Sequence, residues 1–327
     1  MKPRIVLSSC QSIFKNLACE ELFSAEALSP VLFLYQNNKT IVIGRNQNAW
    51  KEIHVDRVKE DQIDLCRRKS GGGAVYQDLG NVCFSFINPR SSNEFKALNN
   101  SVVLRALRIL DVDAETSGRN DIIVDGKKVS GSAYKIEHKS KELHTVHHGT
   151  MLVNTDFRAL TRYLNPSKAK LESKGVKSVS SRVANLTDFE SGITTGGFLK
   201  AMVKSYIKEY PDAEVVQLEG IPPQAQSRAQ EMQNWEWVYG ESPQFTHSLE
   251  TRFIWGIFDI NFNIEEGKIS KVKIFSDCLI PEFVDFVEKN LLNQKYEIET
   301  LNNLKSSCPE AFLPMFEDVI QWLNSNL

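Results

Sequence analysis

Short apolar runs with strand-like alternation are separated by segments whose apolar residues recur at helical spacing, so a mixed architecture is expected. Ile5-Val6-Leu7 opens as a strand. Ile13, Phe14, Leu17, Ala18 and Leu22 follow as one face of a helix, with Ser12 placed to cap it and Asn16, Glu20 and Glu21 on its polar side. Val31–Tyr35 and Thr40–Ile43 read as two strands of a hairpin closed by Asn37-Asn38-Lys39. Val82–Phe86 alternates as a strand, and Val102, Val103, Ala106, Leu107 and Leu110 line a core-packing helix. Asp125-Gly126 between β-formers predicts a two-residue type I′ hairpin. His147–Val153 enters another strand.

Composition shifts over residues 214–244, and Gly240–Pro243 makes a plausible linker. Beyond it come alternating strands around Phe253–Phe262, an Asn263–Gly267 turn and a third strand Ile269–Phe275. Two helices follow, carrying Phe283, Phe286, Val287 and Leu291, then Phe312, Phe316, Val319 and Leu323. The expected organisation is therefore α/β (α+β), with a larger domain over 1–244 and a small α+β domain over 245–327. A length of 327 residues suits this division.

A net charge of −2 argues against a general nucleic-acid binder or a polybasic membrane protein. No apolar run approaches the roughly 20 residues that a membrane span needs. Six scattered cysteines lack finger spacing and point to a reducing, cytoplasmic compartment rather than to disulfides or zinc. The lipoprotein-like Leu7-Ser8-Ser9-Cys10 follows too short an apolar core for a signal peptide.

Candidate chemistry concentrates in three places. Arg67-Arg68-Lys69-Ser70-Gly71-Gly72-Gly73 puts three cations ahead of a bare-backbone turn, a floor for a small anion whose amides can form an anion-binding concavity. On local chemistry alone the run is equally a flexible turn between strands. Gly44-Arg45-Asn46-Gln47-Asn48 sets a cation and several amides at a strand end, or is an ordinary polar loop. In the Asp125-Gly126 hairpin, a regular register opposes Val124 to Lys127, Ile123 to Lys128, Ile122 to Val129 and Asp121 to Ser130. One face then holds Ile122, Val124 and Val129; the other holds Asp121, Ile123, Lys128 and Ser130, so Lys128 rather than Lys127 is the ligand-facing cation. His147-His148 lacks a third metal ligand at a useful spacing and reads as positioning or structural. The basic, Ser-rich stretch 165–183 is a partner surface, a lid or a solvated loop.

Three stretches together resemble the lipoate–protein ligase family, close to the bacterial two-domain type: Arg67–Asn81, Gly118-Arg119-Asn120-Asp121 and Lys128–Tyr134. Gly44–Asn48, His147–Thr150, Lys177–Val183 and Trp235-Glu236-Trp237 are similar to further family signatures, so the likeness spans essentially the whole chain. It implies a biotin/lipoate ligase-like catalytic domain with a C-terminal accessory domain. It also implies ATP-dependent activation of lipoate to lipoyl-AMP, then transfer to a lysine of a lipoyl domain, as in 2-oxoacid dehydrogenase E2 subunits or the glycine cleavage H protein.

Carried over by motif, Arg68, Gly73, Ala74, Val75 and Tyr76 hold nucleotide, while Lys128 contacts both lipoate carboxyl and adenylate phosphate. Arg68 and His148 join Lys128 on the lipoate side, and Asp121 is the candidate for Mg²⁺. The physics agrees: a carboxylate attacking an α-phosphate needs a fixed cation between two anions. Strands Val31–Tyr35 and Val82–Phe86 are expected to line an apolar slot for the dithiolane. Gln77 stands where relatives often carry His and removes any titrating role there; Ala49 replaces a frequent Pro. A monomer is expected, with no nucleic-acid or membrane partner. The alternatives are a lipoyltransferase using preformed lipoyl-AMP, a ligase for octanoate or biotin, and a non-catalytic acyl-adenylate or nucleotide binder.

Overall fold

A computed structural model describes residues 1–47, 49–118, 120–139, 142–165, 182–238, 247–265, 268–294 and 303–326. Most of the basic stretch 165–183, the Gly240–Pro243 linker, Asn48 and Arg119 lie outside these residues.

The large sheet is built from β1 (Arg4–Ser8), β2 (Val31–Tyr35), β6 (Asn81–Asn88), β7 (Glu115–Ser117), β8 (Asp121–Val124), β9 (Lys127–Lys139), β10 (Glu142–Leu152) and β11 (Glu214–Leu218). Its order is β11-β1-β2-β6-β10-β9-β8-β7, parallel over the first three strands and antiparallel from β2 onward. β3 (Thr40–Ile43), β4 (Asp64–Arg67) and β5 (Val75–Gln77) form a second sheet in the order β4-β3-β5.

Strand alternation explains the layers. Leu32, Leu34, Phe84 and Phe86 face helices Phe95–Ile109 and Thr195–Glu209, whereas Val31, Phe33, Tyr35 and Cys83 face helices Ile13–Glu26 and Pro223–Glu231. All five residues of β2 are buried, because it is covered on both faces and paired on both edges. That is why the expected hairpin between residues 31–35 and 40–43 does not form. With β1 and β6 already on its edges, β2 has no place for β3, and the chain crosses to the second sheet.

Helix Ile13–Glu26 also departs from expectation. Ser12 makes no side-chain cap bond, and Asn16 and Glu20, placed by the pattern on the wet side, are buried. β12 (His247–Phe253), β13 (Gly256–Glu265) and β14 (Lys268–Ser276) form a third, antiparallel sheet with helices Pro281–Leu291 and Leu313–Asn324. These elements enclose their own core around Phe258, Phe262, Phe283 and Phe316.

Candidate active site

The Asp125-Gly126 turn takes φ of 49° and 74°, as a type I′ turn requires. Val124 opposes Lys127 and Ile123 opposes Lys128, in the expected register. Beyond them the register slips. A bulge between Ile122 and Ile123 sets Ile122 against Ser130 and Asp121 against Gly131, so Ser130, expected on the open face, is buried. Gly131 takes its place on the open face, where a Cβ would stand 2.6 Å from Lys128 Nζ. The lysine therefore lies down over a glycine and meets Asp121 Oδ1 at 2.6 Å. Lys127 is exposed.

Lys128 and Asp121 line a cavity of about 240 Å³ with Gly72, Gly73, Ala74, Val75, Tyr76 and His148. The structure thus gathers all the expected site residues, Arg68 included, around one space. Arg182 and Arg252 add two more cations to its wall. Residue 183, at the end of the basic stretch, bridges to the Lys128 strand, and Ala184 N–H donates to Lys128 O at 2.9 Å. Val42, Tyr35, Cys83, Leu17 and Ile13 supply the apolar side. Of the strands expected to line a slot, β2 contributes Tyr35 and β6 contributes Cys83.

Arg67 and Arg68 are both buried, and each is spent on backbone. Arg67 donates to the carbonyls of Gly44, Arg45, Gln47 and Val238 at 3.1, 2.9, 2.6 and 2.6 Å, and Trp237 Nε1 returns a bond to Arg67 O at 2.9 Å. Arg68 donates to Gly71 O at 2.7 Å, Gly73 O at 2.9 Å and Val42 O at 3.2 Å, curling the glycine loop around its guanidinium. Burial brings each arginine down to about 10, so both stay charged at neutral pH. Arg68 in this state holds the loop's carbonyls, and any ligand it meets shares those donors.

A buried chain ties this loop to the first helix. Arg68 Nε donates to Ser70 Oγ at 3.1 Å; Ser70 Oγ lies 2.7 Å from His148 Nε2; His148 Nδ1 lies 2.9 Å from Glu20 Oε2. Ser85 Oγ donates to the same carboxylate. Burial alone would raise Glu20, but His148, the Ser85 hydroxyl and the Arg68 charge outweigh it, and the carboxyl sits below its ordinary range. His147, one residue away, points to the opposite face of β10 against Phe86 and Phe95. The adjacent histidines therefore do separate jobs, neither forming part of a cluster of three metal-type ligands among the described residues.

The third sheet's domain touches the loop directly. Gly72 N–H donates to Cys278 O at 3.2 Å, and a Cβ on Gly71 would run into that same carbonyl. Ser276 N–H donates to Asn46 O at 2.5 Å, and Arg45 pairs with Asp285 at 3.1 Å. Arg45 and Asn46 thus meet the third sheet and its helix, while the carbonyls of Gly44, Arg45 and Gln47 accept from Arg67. Glu20, Ser70 and Arg252 escaped the sequence reading. A polar pair four residues apart, Asn16 and Glu20, was the available signal for the first.

A cationic cavity between a glycine loop and a bulged hairpin lysine, with an apolar end, suits an anionic small molecule with an apolar part, on a mixed α/β fold. The chain belongs to the lipoate–protein ligase family: residues 12–207 match the lipoyl protein ligase A/B catalytic domain, and residues 242–323 match the bacterial lipoate protein ligase C-terminus. It is 39% identical to the lipoate-protein ligase A of Psychrobacter cryohalolentis, over 99% of this chain and 98% of the relative. The LipL1 protein of P. falciparum, solved with lipoate, superposes with a TM-score of 0.86 at 31% identity, covering 99% of each chain. A lipoate-protein ligase A bound with ATP gives 0.61 at 27% identity over 73% of this chain and 99% of its own. A bipartite ligase from Thermoplasma acidophilum, described with its E2 lipoyl domain, gives 0.62 at 28% identity over 76% of this chain and 100% of its own.

Proposed function

We propose that this protein is a complete lipoate–protein ligase, which adenylates free lipoate with ATP and passes the lipoyl group to a lysine of a lipoyl domain. The acceptors are E2 subunits of 2-oxoacid dehydrogenase complexes or the glycine cleavage H protein. The enzyme works as a cytoplasmic monomer, with residues 1–244 as the catalytic domain and 245–327 as the accessory domain. The observation that supports this reading is the position of Lys128, which lines the same cavity as Gly72 and Gly73 and whose Nζ pairs with the Asp121 carboxylate over Gly131.

In the first step the lipoate carboxylate attacks the α-phosphorus and pyrophosphate leaves. Lys128 lies between the two anions and stabilises the charge that builds as they meet. Arg68 and the backbone of Gly73, Ala74, Val75 and Tyr76 hold nucleotide; Arg68 and His148 border the acid. In the second step the acceptor amine attacks the mixed anhydride and AMP leaves, with no covalent enzyme intermediate.

Mg²⁺ enters with ATP. Glu52, Asp121 and Asp277 line the cavity, with Asp121 beside Lys128, but among the described residues no three metal-type ligands come together as a cage, which suits an ion held mainly by phosphates and water. Bound there, the ion would supply charge neutralisation at the phosphates.

Lipoate-dependent exchange of pyrophosphate into ATP, followed by labelling of an added lipoyl domain, tests the reading. Transfer from supplied lipoyl-AMP without exchange would reassign the protein as a lipoyltransferase. Lys128→Ala should abolish exchange while Lys127→Ala retains it; equal activity in the two variants overturns the role given to Lys128.

A further inference from the structure

Gln77 lines the cavity, and the direction of its amide is fixed from outside. The backbone carbonyls of Cys10 and Gln36 can only accept, so the Asn16 atom facing them at 2.9 and 3.3 Å is its amide nitrogen. That nitrogen also donates to Asn37 Oδ1 at 2.8 Å, which turns Asn37 Nδ2 toward Gln77 Oε1 at 2.7 Å. Polarity therefore propagates from two main-chain carbonyls through two asparagines. Gln77 is left with its oxygen consumed, and no acceptor among the described residues meets its Nε2. Gln77 is buried and lines the cavity beside Tyr35 and Cys83.

The sheet register gives the distance from this donor to the reactive end. Gly131, under Lys128 Nζ, opposes Thr150, and Thr150 opposes Cys83, which Asn37 Nδ2 approaches at 3.8 Å. Two strand spacings separate the rows, about 10 Å. A carboxylate held at Lys128 thus places the far end of a medium-length acyl chain near Gln77.

We infer that Gln77, oriented by Asn37, is a specificity-determining donor that favours an acid whose tail carries an acceptor, such as the dithiolane sulfurs, over a plain alkyl acid. This rests on the ligase reading for the site's orientation. A desolvated N–H facing only methylenes is left unpaired, whereas a sulfur offers a weak acceptor. Asn37 acts through Gln77 and is a positioning residue.

The whole protein is titrated calorimetrically with lipoate and with octanoate, and pyrophosphate exchange is measured with both acids. Gln77→Leu removes the donor. Asn37→Asp reverses the relay, since an aspartate accepts from Asn16 and from Gln77 alike and turns Oε1 into the cavity. Each variant should lower the lipoate-to-octanoate affinity ratio by about tenfold and leave octanoate binding within about twofold. An unchanged ratio in Asn37→Asp, or an equal loss for both acids in both variants, overturns the inference. Absence of exchange in the parent protein, with lipoate still preferred and both variants still lowering the affinity ratio, would instead sink the ligase reading alone.

Discussion

His147 makes the stability of this protein sensitive to mild acid, by an amount the structure sets. The imidazole is 2% exposed and packs against Phe86 and Phe95, with Asn99 Nδ2 at 3.3 Å from Nδ1. Burial, reinforced by His148 and Lys96, lowers its pKa from 6.5 to about 3. The unfolded chain, with an ordinary imidazole, binds the proton first. Its stabilisation of the unfolded state is absent above pH 6.5 and grows as pH falls toward 3. At pH 5 the gap between 6.5 and ambient is about 1.5 units, which at 1.36 kcal/mol per unit costs the native state about 2 kcal/mol. His147→Gln keeps an amide partner for Asn99 and does not titrate. Urea unfolding of both proteins at pH 7.5, 6 and 5 reads the difference, the pH values being chosen to bracket the ordinary imidazole range. The variant should start less stable at pH 7.5 through imperfect packing, then regain about 2 kcal/mol relative to the parent by pH 5. Parallel stability–pH curves for the two proteins would refute a buried neutral His147.

Removing the Glu20 carboxylate should be costly in another way. Glu20→Ala leaves His148 and Ser85 without their shared acceptor and Arg68 without a buried counter-charge, so unfolding free energy should drop by about 3 kcal/mol or more, measured by urea titration at neutral pH; a loss under about 1 kcal/mol contradicts the relay. Gly131→Ala should separate stability from chemistry. The added methyl clashes with the flexible tip of Lys128 and otherwise reaches Asp121 Oδ1 at an ordinary contact distance, so stability should change by about 1 kcal/mol at most, while pyrophosphate exchange falls by roughly tenfold to a hundredfold. Full exchange in that variant would mean that the lysine's resting position over the glycine is immaterial.

The sequence disclosed features whose cause is local. Asp125-Gly126 demanded its turn from backbone sterics alone, and the first two cross-strand pairs followed. The glycine loop, the Lys128 strand and the two aromatic-rich C-terminal helices were legible for the same reason. What escaped was set by distant partners. The bulge at Ile122 follows no turn rule, and it moves Ser130 into the interior while bringing Gly131 out. Asn16 and Glu20 look solvated on a helical projection because the pattern assumes one buried face. In fact both turn toward the sheet and its loops, Asn16 meeting Asn37 and Glu20 meeting Ser85 and His148, while helix Pro223–Glu231 covers the side of Glu21, which Arg228 reaches at 2.9 Å. Arg68 read as a free cation in sequence, yet only the folded loop shows that its donors close on carbonyls three and five residues ahead.

These hidden features share a physical role. A loop built on three glycines has little conformational preference of its own, so its shape must be imposed. Here the imposition is polar: Arg68 grips the loop from inside, Ser70 and His148 pass that grip to Glu20 on the first helix, and Cys278 O takes the Gly72 amide from the second domain. The same helix, through Asn16, sets the direction of Asn37 and hence of Gln77 at the other end of the cavity. One turn of a single helix thus anchors both the glycine-loop wall and the Gln77 wall of the cavity, Asn16 and Glu20 standing four positions apart on one side. A shift of that helix would disturb both ends together, whereas Lys128, carried on its own bulged hairpin, depends on neither.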